Sequence, residues 1–337
     1  MKELAEILTL WEQVEKAGES AVLATVVKTQ GSSYRLPGAR MLLTRYGKRA
    51  GAVSGGCLED DIVKKGWWLT ENGPVVRRYD TTPDGELGPD RESAETGFGL
   101  GCNGIIHVLL ERVTPQQPSV LPLIRKVRAE RSSRTVTHTH PREGSLLFIE
   151  TLVPPVRLLV FGAGDDAIPV TNLAQILGWQ VIVLDGRAHY ARREKFPAAD
   201  DVMVRRSGEP VPDRLIDPWT AAVVMTHSYS QDLEIVRNLS QRRLRYLGVL
   251  GPRKRTEQIL SEAGLDDHRF GSEFHSPMGL DIGADGAQQV ALAVLAEIQA
   301  TLNGRDGGRL RERDGSIHVR EAIEDENTFR VRSIVCA

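Results

Sequence analysis

Short apolar runs recur along the chain, and their spacing separates two differently patterned halves. In the first half, AVLATVVKT (residues 21–29) and ARMLLT (39–44) are rich in β-branched and apolar residues, which predicts two strands. Residues 1–20 carry apolar side chains at helical spacing and predict an amphipathic helix. The same period begins again in LEDDIVKK, directly after Cys57. Cys57 is therefore expected near the start of a second helix, and Cys102 in a loop just before the strand IIHVLLERV.

The second half alternates between two patterns. Short, continuous apolar runs occur in VRLLVF, QVIVL, DVMV, AAVVMT and YLGVL. Helical patterns such as TNLAQILG and QDLEIVRNLSQRR occupy several of the intervals between them. Strands buried on both faces and joined by helices predict a parallel, doubly wound sheet. A last apolar helix, AQQVALAVLAEIQATLNG, is expected to pack on that sheet, and FRVRSIVCA near the end predicts an added strand.

These patterns predict the fold class α/β with two domains. A smaller mixed α/β domain is expected over residues 1–113 and a Rossmann-like domain over 156–303. The weakly patterned stretch 114–155, which ends in VPP, is interpreted as a connector, and 304–337 as a C-terminal tail.

Composition narrows the function classes. The 337 residues are 41% hydrophobic, enough for two ordinary cores, and the net charge of −2 gives no overall basic field for nucleic acid. No apolar run reaches about 18 residues, so no membrane span is expected. The first residues lack a signal-peptide layout, so we expect a cytoplasmic protein. Three scattered cysteines are an odd count, which favours free thiols over a disulfide framework.

The glycine motif VFGAGDDAIPV, with VLDGR about twenty residues later, has the layout of a dinucleotide-binding turn. Gly162 and Gly164 would let the backbone approach a pyrophosphate, and Asp185 would accept hydrogen bonds from a ribose. The alternative is a tight strand-to-helix turn capped by Asp165 or Asp166. Like charges about 4 Å apart cost ~4 kcal/mol at an effective dielectric near 20, so these aspartates oppose tight NAD(P) binding unless both turn away.

Two cysteines lie in glycine-rich surroundings. A helix start favours the thiolate form of Cys57, and the preceding Gly55 and Gly56 leave room for a bulky ligand. The acids that follow Cys57 oppose that activation. A buried, unreactive role stays open for Cys57 and for Cys102.

Three further motifs carry polar groups. Ser32, Ser33 and Arg35 in GSSYRLPG would suit an oxyanion such as phosphate, or form an ordinary turn with a solvated arginine. His227 ends a predicted parallel strand and His275 lies in a glycine-rich loop, and each could contact a ligand or serve the structure. The spacing contains no CxxC pair, so a closed zinc site is poorly supported.

Taken in order, these motifs resemble the XdhC/CoxI family over roughly residues 5–300. The resemblance is carried by GSSYRLPGARM, GAVSGGCLE, GLGCNG, VFGAGDDAIPV with VLDGR, MTH, LGVLGPRKR and HSPMGLDIGA. It implies an accessory protein for a molybdenum hydroxylase of the xanthine dehydrogenase type. Such a chaperone binds the molybdenum cofactor (molybdopterin), holds it while a cysteine desulfurase supplies sulfur, and inserts it into the hydroxylase. A homodimer is also implied.

The resemblance also implies site residues. Cys57 and Cys102 correspond to the family's two glycine-flanked cysteines, with Cys57 as a contact to molybdenum or to the cofactor sulfur. The GSS loop would place its serines and Arg35 near the ligand. Asp165 departs from the family, in which a histidine commonly follows the second glycine. Two alternatives stay open: an NAD(P)-dependent oxidoreductase that uses the Rossmann-like domain, and a domain that serves only as a docking scaffold for the hydroxylase.

Overall fold

The computed structural model describes residues 2–31, 35–56, 58–80, 104–265, 273–314, 321–322 and 329–334. The chain forms two compact units. The first comprises Met1–Pro154 with His318–Cys336, and the second comprises Pro155–Ile317. The predicted α/β fold class is confirmed in both units. None of the described helices is long and apolar enough to cross a membrane.

The first unit is built on a five-stranded antiparallel sheet. Its strands are β1 (Ala21–Gly31), β2 (Arg40–Thr44), β3 (Arg49–Gly51), β4 (Val75–Asp80) and β5 (Gly104–Val113), in the order β3-β2-β1-β5-β4. Helix α1 (Lys2–Lys16) packs on one face through residues that include Ile7 and Trp11. Helix α2 (Glu59–Leu69) packs on the other through Ile62. Alternating side chains of β1 supply both cores, as the period of a strand requires.

A second sheet completes this unit. It contains β6 (Arg134–Thr139), β7 (Leu146–Val153), β14 (Glu321–Ala322) and β15 (Phe329–Ile334), in the order β14-β15-β7-β6. The strand expected in FRVRSIVCA is therefore confirmed, and it pairs in parallel with β7.

The segment 114–155, expected to be a connector with one helix over 122–130 and a short strand in SLLFIE, contains α3 (Leu121–Glu130), β6 and β7. Ile124, Val127 and Leu152 from this segment are buried in one cluster with α1 and β1, so the segment packs within the first unit. Apolar burial of this kind outweighs the weak local pattern of β6, whose residues are mostly exposed.

A fully buried ion pair joins the two sheets of the first unit. Arg40 of β2 donates to both carboxylate oxygens of Glu150 of β7, at 2.8 and 2.5 Å, and both side chains are completely buried. His138 of β6 stacks on Phe148 and lies 3.0 Å from the same carboxylate. Burial alone would lower the pKa of Arg40, but the attraction of Glu150 raises it above its usual value. The guanidinium therefore stays charged, and its position depends on Glu150.

The second unit is a doubly wound sheet of six parallel strands. They are β8 (Arg157–Phe161), β9 (Gln180–Asp185), β10 (Asp201–Val204), β11 (Thr220–Val224), β12 (Tyr246–Val249) and β13 (Phe274–His275), in the order β10-β9-β8-β11-β12-β13. Helices α4 (Ala167–Ile176) and α7 (Ala287–Leu302) cover one face, and α5 (Tyr229–Leu239) and α6 (Arg253–Ala263) cover the other. The strand order reverses between β8 and β11, which is where sheets of this type bind ligands.

We expect Glu150→Gln to destabilise the first unit by about 3–5 kcal/mol, because it leaves the Arg40 guanidinium buried without a counter-charge. Glu130→Gln is a matched control, since Glu130 pairs with Arg134 at the surface and such pairs contribute at most about 1 kcal/mol. Hydrogen exchange of β2 and β7 peptides measures the free energy of opening. Equal values in the two variants would contradict a dependence on this pair.

Candidate functional site

Several loops of the first unit leave the five-stranded sheet toward the same end. Gly31 at the end of β1 lies opposite Gly104 at the start of β5. Asp80 at the end of β4 lies opposite Ile105. Gly51 at the end of β3 pairs with Met41 and is level with Val75 at the start of β4, about 17 Å along the strands from this edge. Segments 32–39 and 81–103 begin or end at this edge, and segment 52–58 leaves the sheet toward the same end.

These segments contain the predicted cofactor-binding residues of the first half. Ser32, Ser33, Cys57 and Cys102 lie outside the described residues, as does Cys336. Sheet topology nevertheless brings the ends of segments 32–39 and 81–103 to one edge, although the two segments are separated along the chain. We call this edge the loop end of the sheet.

The loop before Cys57 is held by a buried carboxylate. Glu59 Oε1 accepts the backbone N–H groups of Val53 at 3.0 Å and Ser54 at 2.8 Å, and the Ser54 hydroxyl donates to Oε2. The same hydroxyl oxygen accepts the N–H groups of Gly56 and Leu58, each at 3.1 Å. Five hydrogen bonds therefore fix the backbone on both sides of position 57.

The two glycines of this loop face solvent. Gly55 and Gly56 are both exposed. Gly56 has φ +121°, a left-handed conformation that residues with a Cβ rarely adopt, while open space surrounds it. Glycine is needed there for the backbone turn, and the absence of a side chain also leaves the surface beside position 57 clear.

Each acid of the run after Cys57 has a partner. Burial raises the pKa of Glu59, but hydrogen bonds from Ser54 and nearby backbone N–H groups outweigh that effect and lower it. Asp61 forms an ion pair with Lys65 at 2.5 Å. Asp60 is exposed and faces Arg49 at 3.7 Å. The sequence suggested that these acids oppose a thiolate, whereas the structure gives each of them a partner.

Arg35, the remaining predicted residue of the GSSYRLPG loop, is half-buried and forms an ion pair with Glu3 of α1. Its loop begins at the loop end of the sheet. An oxyanion would share or replace the Glu3 carboxylate, so the predicted anion contact remains a prediction.

In the second unit, the glycine motif forms the turn between β8 and α4. Gly162 has φ +121°, and a Cβ there would collide with the backbone carbonyl of Met225, which follows β11. Only glycine allows this close approach. At Gly164 a Cβ would lie 2.5 Å from a carboxylate oxygen of Asp166.

Asp185 is the buried residue that holds this turn. Its carboxylate accepts the N–H of Ala163 at 2.7 Å, the N–H of Arg187 at 2.8 Å, and the Arg187 guanidinium at 3.0 and 2.8 Å. Burial raises the pKa of Asp185, but the Arg187 hydrogen bonds outweigh it and lower the pKa. A carboxylate has about four acceptor positions, so a ribose would have to displace a present donor.

Asp165 and Asp166 each have a cationic or titratable partner. Lys195 donates to Asp165 at 2.8 Å and to the Ala163 carbonyl at 2.7 Å. His227 lies 2.7 Å from Asp166 and has φ +60°, an uncommon backbone conformation for a non-glycine residue. His227 follows β11 and therefore lies at the carboxyl edge of the sheet.

His275 has a different environment. Its ring stacks on Tyr246 at 4.5 Å and lies 3.4 Å from Glu297. These contacts within the second unit favour the structural interpretation of His275.

Sequence reasoning missed Arg187 and Lys195. Arg187 could have been found, because it follows Asp185 by two positions in VLDGR and Arg beside such an acid is a known cofactor-reading arrangement. Lys195 lies thirty residues from Asp165, and no local signal connects them. Among the residues that the structure describes, no cluster of three or more His, Cys, Asp or Glu side chains could hold a metal ion.

Comparisons with known proteins cover both units. A model described as the XdhC and CoxI family matches residues 14–80, and one described as the XdhC Rossmann domain matches 158–298. A Bacillus subtilis protein, named as a probable subunit of xanthine dehydrogenase, is 34% identical over 87% of this chain and 96% of that protein. The "molybdenum cofactor insertion chaperone PaoD" of Escherichia coli is 25% identical, over 84% and 83%. A crystal structure described as a xanthine dehydrogenase from Bacillus halodurans superposes with TM-score 0.74 at 28% identity, over 89% and 96%.

We expect Glu59→Gln to weaken the loop around position 57 by about 1–3 kcal/mol at pH 7, because a buried hydrogen-bonded carboxylate is lost. Hydrogen exchange of the Ser54, Gly56 and Leu58 amides measures this. The folded pKa of Glu59 lies below its unfolded value, so its contribution is complete above about pH 4.3 and disappears as pH falls through the folded pKa. Asp60→Asn, at the exposed neighbour, should change little. A loss that is the same at pH 7 and pH 3 would contradict a role for the charge.

Proposed function

Because the chain belongs to the XdhC and CoxI family, we propose that it is a maturation chaperone for a molybdenum hydroxylase of the xanthine dehydrogenase type. The molybdenum cofactor is its cargo: the protein binds it, holds it for sulfuration, and inserts it into the hydroxylase. The names of the B. subtilis and E. coli relatives support the general role. We further propose that a cysteine desulfurase supplies the sulfur, and that the chaperone is a cytoplasmic homodimer.

The observation that carries this proposal is that segments 32–39 and 81–103 start or end together at the loop end of the sheet, while segment 52–58 leaves the sheet toward the same end. Each contains residue types that suit part of the cargo. Molybdopterin carries a dithiolene-bound metal and a phosphate. Thiols are soft ligands that suit the metal or its sulfur, and hydroxyl and guanidinium groups suit the phosphate.

The loop before Cys57 is held by hydrogen bonds, which supports a ligand-contacting role for it. A binding group acts best when its backbone is fixed before the ligand arrives, because the cost of ordering is already met. The Glu59 carboxylate and the Ser54 hydroxyl fix residues 53–58, while Gly55 and Gly56 leave open surface. We therefore assign Cys57 the contact to the molybdenum or to its sulfur ligand, and Cys102 a place in the same pocket.

The second unit has a separate role in the proposal. We propose that residues 156–303 serve as a scaffold that docks on the target hydroxylase. Where the strand order reverses, between β8 and β11, the acidic side chains already form internal ion pairs: Lys195 with Asp165, and Arg187 with Asp185. An NAD(P)-dependent oxidoreductase remains the alternative, favoured by the glycine turn and the strand order.

We expect Cys57→Ser to retain at least about tenfold less cofactor than the wild type, which corresponds to ~1.4 kcal/mol of binding free energy. The protein is incubated with molybdopterin-loaded extract, repurified, and its pterin is oxidised and measured by fluorescence. Cys336→Ser is the matched control, because that cysteine belongs to none of the three loops. Equal retention by Cys57→Ser and the wild type would show that the thiol does not hold the cargo.

Titration calorimetry with NADH and NADPH separates the alternative. We expect no binding heat for NADH at millimolar concentration, because the Asp185 carboxylate already accepts four hydrogen bonds. Saturable binding of NADH in the micromolar range would favour the oxidoreductase. Arg187→Ala frees half of the Asp185 contacts and serves as the comparison protein.

A further inference from the structure

Three basic side chains lie in a row on one face of the five-stranded sheet. Lys28 of β1 and Arg78 of β4 are each directly opposite His107 of β5. Opposite residues of antiparallel strands have Cβ atoms about 4.5–5.5 Å apart, so the three groups form a strip across neighbouring strands. All three residues are partly exposed. We call Lys28, His107 and Arg78 the basic row.

A β-bulge places the lysine in this row. Val26 lies opposite Val108, and the next pair along the ladder is Lys28 with His107. Val27 is the extra residue of the bulge, and in an uninterrupted ladder it would lie opposite His107. Bulges re-aim side chains and are frequent beside functional sites. Here the bulge gives His107 a cationic neighbour in place of an apolar one.

The basic row carries more positive charge than the described residues neutralise. Asp80 lies 3.4 Å from Nη2 of Arg78, but Nη1 of that guanidinium is buried and has no hydrogen-bond partner in the described part of the chain. Lys28 forms no ion pair with any described residue.

The environment of His107 reflects this imbalance. Burial lowers the pKa of His107 to about 4, and the charges of Lys28 and Arg78 act in the same direction. Its imidazole is therefore neutral at pH 7. Lys28 and Arg78 lie on either side of this neutral ring, two strands apart, so an anion bound between them would be attracted by both charges.

The row lies near the loop end of the sheet and on the face opposite α2, because the neighbours of His107, Ile106 and Val108, pack with Ile62 of α2. His107 is three residues from Gly104, and Lys28 is three residues from Gly31. At a rise of about 3.4 Å per residue, the row is roughly 10 Å from the edge where the segments with Ser32 and Cys102 begin or end.

We propose that the basic row binds the phosphate monoester of the cargo, through the ammonium group of Lys28 and the guanidinium of Arg78. This rests on the proposed function, and it assigns residues that no motif of the sequence singled out. Ammonium and guanidinium groups are the usual protein donors to phosphate, and both side chains are partly exposed.

The first test uses inorganic phosphate and NMR titration of His107, whose resonance is assigned by its loss in His107→Gln. Phosphate should raise the pKa of His107 relative to chloride at equal ionic strength, because an anion in the row favours the protonated ring. Lys28→Met should raise that pKa without phosphate and weaken phosphate binding about tenfold. Lys48→Met, an exposed lysine in the β2–β3 turn, is the matched control and should change neither value.

The second test measures cofactor retention by Lys28→Met and Arg78→Met, with thermal melting to confirm that each is folded. Lower retention than Lys48→Met supports the assignment. If phosphate leaves the pKa of His107 unchanged, the basic row is not an anion site, whatever the cargo of the protein. If phosphate shifts it but the wild type retains no molybdopterin, the proposed function fails and the anion site stands. If phosphate shifts it and both variants retain cargo normally, the row does not hold the cargo phosphate.

Discussion

A charged group taken out of water must meet a group of opposite charge, and in the first unit this constraint acts through Arg40 and Glu150. Both side chains are completely buried, and they join strands of two different sheets. Removing two ions from water costs several kcal/mol each, so the pair is tolerated only because its geometry is bidentate. It sets where β7 lies against β2. The placement of β6 and β15 follows, because both pair with β7.

The same rule organises the loops. Glu59 accepts hydrogen bonds from the backbone before position 57, and Asp185 accepts them from the glycine turn of the second unit. In each case a buried carboxylate accepts backbone N–H groups that would otherwise face solvent or a ligand. The consequences differ. The hydrogen bonds to Glu59 leave the surface at Gly55 and Gly56 open to a ligand. The hydrogen bonds to Asp185 occupy the acceptor positions that a ribose would need.

Charge balance separates the two units further. In the crevice of the second unit, Asp165, Asp166 and Asp185 each hold a cation or a histidine. On the first unit, the basic row leaves Lys28 without an acidic partner among the described residues. Lys28 is partly exposed and therefore solvated, so a bound anion would add a partner to it. We assign cargo binding to the first unit because the segments with the predicted cofactor-binding residues leave its sheet toward one end.

Sequence alone determined the parallel strands of the second unit, the helices with a clear apolar face and the family resemblance. Strands buried on both faces must be continuously apolar, and that requirement is visible in the letters. The sequence did not reveal β3, which is short, or β6, which is mostly exposed, because neither shows the apolar pattern of a buried strand. It also could not connect Arg40 with Glu150, which are 110 positions apart, or Lys195 with Asp165. Tertiary structure decided those pairs and the basic row, because the register between strands, including one bulge, determines which charges meet, and register is a property of the assembled sheet.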